Sequence, residues 1–79
     1  MSRHALQEIA KRQLDPRWVE RIALRPDWTE PGPQPGVVRH YGAVPEFGNR
    51  VLRVPVADRG DERLIISAFP DRAARRRRS

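Results

Sequence analysis

Seventy-nine residues make one domain, in which only about 60% of the unfolded chain's surface is buried on folding, so the core is thin and two layers are its limit. The absence of cysteine excludes disulfides and thiolate zinc sites, the usual staples of a small domain, and nothing points to secretion. A balance of 16 Lys and Arg against 10 Asp and Glu gives +6, no run approaches the roughly 20 apolar residues of a membrane span, and the expected setting is therefore cytoplasmic, with an anionic partner and no membrane.

The chain begins with a polar helix. Ser2 is a good N-cap for a helix to about Gln13, with Ala5, Leu6, Ile9 and Ala10 on one stripe and His4, Gln7, Glu8 and Lys11 opposite. The string "LDPRWVERIAL" starts a second helix: Asp15 caps it, Pro16 takes the first helical position, and Leu14 can staple onto Val19. Trp18, Val19, Ile22 and Ala23 supply its buried face, and Pro26 ends it.

After Pro26 the period changes from helical to extended. "DWTE" is a short strand candidate, "PGPQPG" a loop, "VVRHYGAV" a strand, "PEFGN" a turn, "RVLRVPVA" a strand, "DRGDE" a turn and "RLIISAF" the last strand. Leu52, Val54 and Val56 alternate with Arg53 and Pro55, so the apolar set faces the helices and Arg53 faces away. Pro55 cannot donate to a ladder, which predicts an edge position or a bulge. Trp18 and Trp28 read as core, Trp28 closing one end of the sandwich. The fold class is α+β: two N-terminal helices packed on one face of a three- to four-stranded antiparallel sheet whose other face is open. That open face carries Arg53 with either Arg39 and Tyr41 or Val38 and His40, the first pair being preferred.

Fifteen of the sixteen basic residues are arginine, whose planar fork binds phosphate bidentately; a GC-rich genome gives the same bias. The excess is concentrated at the end, where Arg72, Arg75, Arg76, Arg77 and Arg78 face one acid, Asp71. The expected organisation is a folded domain over 1–70 and a disordered arginine-rich arm over 71–79.

"HAL" on the first helix, Arg12 near its end, "LRPDW", "RHYGAV", "NRVLRVPV" and "LIISAFP" together resemble domain of unknown function 4258, a small bacterial family similar to toxins of the RelE and BrnT type. The resemblance spans nearly the whole chain except the arginine arm. It implies a RelE-like fold and a toxin-like, RNA-directed role, with an antitoxin-like protein, RNA or the ribosome as partners. Carried over by position, it makes His4, Arg12 and Ser67 candidate functional residues, although threonine is the more usual residue where Ser67 stands.

Metal-independent RNA cleavage needs a base for the 2′-hydroxyl proton, a donor to the leaving oxygen and cations on the phosphate. The candidate catalytic residues are His4, Arg12, Ser67 and Tyr41. Imidazole as a side-chain type suits acid or base work, and His4 sits at a helix N-terminus, which favours anions; the plain alternative is a solvated polar residue. For Arg12 the alternative is a surface pair with Glu8. Candidate nucleic-acid contacts are Arg39, Arg53, Arg75, Arg76, Arg77 and Arg78, with Tyr41 stacking a base. His4 and His40 lack companions for a metal site, so neither metal nor cofactor is expected. The competing functional class is a non-catalytic module that binds protein or nucleic acid through the open sheet face and basic arm. A homodimer formed through an exposed sheet edge is a third reading.

Overall fold

Ser2 and Asp15 start the two helices. The Ser2 hydroxyl accepts the Ala5 N–H (3.1 Å) and an Asp15 carboxylate oxygen accepts the Arg17 N–H (2.9 Å). The computed structural model describes residues 1–75, Arg59 by its backbone alone. Helix α1 runs Arg3–Lys11 and helix α2 runs Pro16–Leu24. The first helix stops short of Gln13 because Gln13 takes a left-handed φ of 56°. The Leu14 N–H then reaches back to the Ile9 carbonyl (2.9 Å), a closure that turns the chain so that Leu14 joins Val19 in the core. Among the described residues, no helix is long and apolar enough to cross a membrane.

Five strands follow: β1 Trp28–Pro31, β2 Val37–Val44, β3 Arg50–Arg59, β4 Glu62–Ile65 and β5 Phe69–Pro70. Every pairing is antiparallel, the sheet order is β1-β2-β3-β4, and β5 also pairs with β3. The fold is α+β as the pattern predicts, with one strand more than expected. The extra strand arises because the last extended run divides in two along one edge of β3.

Pro55 explains the division. Ile65 pairs with Val56 and Phe69 with Arg53, so residues 66–68 stand opposite 54–55, a one-residue bulge. The Ile66 N–H donates to the Pro55 carbonyl (3.0 Å), but Pro55 has no N–H to return. The Ile66 carbonyl is left free and accepts the Ser2 hydroxyl (3.2 Å), while the Ser2 N–H donates to the Ile65 carbonyl (2.8 Å). The start of α1 is thereby tied to the end of β4.

Leu52, Val54 and Val56 of β3 face the helices and pack with Ile9, Leu14, Val19, Ile22, Val44 and Ala68. On α1, Ala5 and Ile9 are buried, whereas Leu6 is 53% exposed and Ala10 is exposed, so the expected four-residue stripe is only half used. A helix tied to the sheet margin meets the second layer along one line. Over β2, Ile22 of α2 sits so close that a Cβ built on Gly42 lies 2.8 Å from its Cγ1. Trp28 departs from its expected place: it pairs with Tyr41 on the sheet face turned away from the helices, and it is outside the core cluster.

Two substitutions test this packing. Gly42→Ala should lower stability by about 1–3 kcal/mol through overpacking, and Ile22→Ala in the same chain should remove most of that added loss, giving a non-additive double-mutant cycle in urea denaturation. Ser2→Ala, which removes both an acceptor for α1 and a donor to Ile66, should cost about 1–2 kcal/mol by the same measurement.

Candidate nucleic-acid interface

Directly opposed residues of an antiparallel pair share a face. The register therefore lays Trp28, Tyr41, Arg53 and Phe69 in one row across β1, β2, β3 and β5, on the face away from the helices. Trp28 stacks on Tyr41 with ring centroids 4.9 Å apart and planes 4° from parallel, and its indole N–H donates to Glu30 (3.2 Å). The Arg53 guanidinium lies 4.4 Å from the Phe69 ring centroid. It also forms an ion pair with Asp71 (3.5 Å), and its Nε is buried with no hydrogen-bond partner among the described residues.

A second arginine reaches the same ring from the helix layer. Arg12, just past the end of α1, lies 5.9 Å from the Phe69 centroid. Its Nε donates to the Glu8 carboxylate (2.8 Å), and this bond to Arg12 holds the Glu8 carboxyl below the usual range. Phe69 is thus framed by two guanidiniums that come from different layers of the fold.

The other candidates are spread around this centre. His4 is exposed on the first turn of α1, and the helical rise of 1.5 Å per residue puts it about 12 Å along the axis from Arg12. Ser67 lies half-buried in the bulge, beside the Ile66 carbonyl that holds Ser2, at the His4 end of α1. Tyr41 is on the outer face but only 4% exposed, with Trp28 over it. Among the described residues no hydrogen bond joins any two of His4, Arg12, Ser67 and Tyr41. Arg39 is half-buried on the outer face, opposite Glu30 on one side and Pro55 on the other. Arg75 is exposed, and its guanidinium donates to the carbonyls of Arg72 (3.2 Å) and Ala74 (3.0 Å). Arg76, Arg77 and Arg78 lie outside the described residues.

Phe69 and Asp71 were missed by the sequence reading for a physical reason. In an unbroken strand Phe69 shares a face with Ile65, which is opposite Val56 and so turned to the helices; the bulge reverses the alternation and sends Phe69 outward and Ala68 into the core.

A family model described as domain of unknown function (DUF4258) matches residues 1–70. The chain belongs to this family. No match is found among curated proteins or among solved structures. In this DUF4258 domain the matched span contains His4, Arg12, Tyr41, Arg53, Ser67 and Phe69, whereas Asp71 and Arg75 lie beyond it. Among the described residues, no group of three or more His, Cys, Asp or Glu side chains is arranged to hold a metal ion.

The second histidine has a different environment. His40 faces the helices opposite Val54 and is 8% exposed, with its Nδ1 buried and unpartnered among the described residues. Burial pushes its pKa below the ordinary 6.5; Arg63 lowers it further, and the carbonyls of Ile22 and Ala23 oppose the shift. The folded chain therefore takes up this proton at lower pH than the unfolded chain. The stabilisation from neutral His40 is complete above the unfolded value and declines as pH falls through 6.5 toward the folded value. Thermal melts followed by circular dichroism from pH 7.5 to pH 5 should show this decline, and His40→Met should flatten that part of the profile.

Proposed function

We propose that this DUF4258 protein is a small toxin-like RNA-binding domain whose chemistry is metal-independent RNA cleavage. The observation that carries the binding half of the reading is the placement of Arg12 and Arg53 over one ring, Phe69. Guanidinium planes and an aromatic ring offer stacking to unpaired bases, and guanidinium N–H groups suit phosphate oxygens. The net charge of +6 favours the same anionic partner.

His4 supports the cleavage half. It is exposed at the start of α1, so its imidazole is accessible to substrate. As base it takes the proton from the ribose 2′-hydroxyl; that oxygen bonds to phosphorus, the bond to the 5′ oxygen breaks, and the departing 5′ oxygen takes a proton from water, which leaves a cyclic phosphate and a free 5′-hydroxyl. Arg12, two turns along the same helix, is the cation for the phosphate charge that develops. RNA, free or on the ribosome, is the partner this assigns, with an antitoxin-like protein as the natural restraint.

A second reading is favoured by the spread of the candidate groups: Tyr41 is covered by Trp28, and Arg53 is engaged by Asp71. On that reading the domain binds protein or nucleic acid without turnover.

Incubation of the pure protein with structured RNA in EDTA separates the two. The expected result is cleavage that His4→Ala reduces by about 10²–10⁴-fold, together with a loss of RNA affinity of about 1–3 kcal/mol in Phe69→Ala. Binding without cleavage, on free RNA and on translating ribosomes, leaves the interaction module. Failure to bind either RNA or DNA at low salt removes the nucleic-acid reading.

A further inference from the structure

Asn49, Arg50, Val51, Pro70, Asp71, Arg72 and Arg75 line a cavity of about 220 Å³ at the end of the sheet where the β2–β3 turn meets the segment after β5. The fold assembles three arginines there. The Asp71 N–H donates to the Val51 carbonyl (2.9 Å), and the chain then turns, the Ala74 N–H donating to the Asp71 carbonyl (3.4 Å), so that Arg72 lines the same cavity as Arg50. Like charges gathered in one cavity repel. Arg75 is drawn in by its bonds to the carbonyls of Arg72 and Ala74, which use one of its guanidinium nitrogens and leave Nε and the other to point elsewhere.

The single acid in the lining does not neutralise this cluster. Asp71 is directed to Arg53 through Oδ2 (3.5 Å) and accepts the Ala73 N–H through Oδ1 (3.0 Å). Glu8, Asp15 and Glu46 are taken up by Arg12, Arg17 and Arg21. Among the described residues, Arg50, Arg72 and Arg75 form no ion pair. Val51 and Pro70 add apolar surface beside the three arginines. The volume is below the roughly 300–1,000 Å³ of sites that enclose a whole small molecule, so the cavity suits one anionic group.

We propose that this cavity is a phosphate-binding site, in which Arg50, Arg72 and Arg75 hold one phosphate group carried by an RNA backbone or present as free phosphate. A phosphate there offsets the repulsion between the guanidiniums and accepts bidentate bonds from them. The RNA arm rests on the proposed function; the phosphate arm stands without it.

The test uses the full chain. In ¹⁵N-resolved NMR, inorganic phosphate added at constant ionic strength should produce saturable shifts at Asn49, Arg50, Val51, Asp71 and Arg72, and a response no larger than that to chloride overturns the site. Binding of a single-stranded oligoribonucleotide should weaken about tenfold in Arg50→Ala with Arg72→Ala, and the salt slope should fall by about 0.7 for the lost phosphate. Because Arg50 also lies over Phe47 at 4.8 Å, Arg72→Ala alone serves as the variant that leaves the turn intact. RNA binding unchanged by these variants overturns the RNA arm here while the RNA reading of the domain stands. Saturable phosphate shifts without RNA binding support the site for free phosphate and sink the RNA reading.

Discussion

The hydrogen bond that Pro55 cannot make organises one side of this molecule. At the paired position Ile66 donates to Pro55, but its own carbonyl has no ladder partner, and a buried carbonyl must find one. Ser2 provides it, and in the same stroke caps α1 and bonds to Ile65. One imino acid in the middle strand thus decides where the first helix begins. It also sets the bulge, and the bulge turns Phe69 outward to meet Arg53 of β3 and Arg12 of α1.

The two faces of the sheet are held by different forces. On the helix side, aliphatic residues of β3 pack at close range, and Gly42 lets Ile22 descend onto β2. His40 is the polar exception there, its pKa lowered by burial near the end of α2. On the other side, a row of aromatic rings and guanidiniums crosses four strands, and its stability comes from stacking and from the Arg53–Asp71 pair. The same groups that complete a thin domain are therefore those best suited to meet bases and phosphates. In so small a chain, the residues that hold the outer face together are also those with which the proposed binding is made, because few other side chains remain.

Much of this architecture is legible residue by residue. Ser2, Asp15 and Pro16 announce their helix starts because capping is a local interaction between a side chain and the next turn. Alternation along β3 identifies Leu52, Val54 and Val56 as core, and Pro55 marks a fault in the ladder. Leu6 and Trp28 are, with Ala10, among the misreadings. All three are apolar residues whose burial depends on which layer lies opposite, and periodicity does not say where a layer ends. The candidate site is less legible than the fold. His4 and Arg12 can be placed on one helical stripe, yet the partner of Arg12 across the fold, Phe69, is hidden by a parity change.

By itself the sequence determined the class of fold, the order of its elements, the inner face of β3 and the arginine excess. These follow from local propensity, periodicity and charge, which neighbours in the chain settle among themselves. Only the tertiary structure decided that Arg12 and Arg53 share one ring, that Asp71 engages Arg53, and that Arg50 and Arg72 line one cavity. Those juxtapositions hang on strand register and on a single inserted residue, and a shift of one position in either sends each side chain to the opposite face.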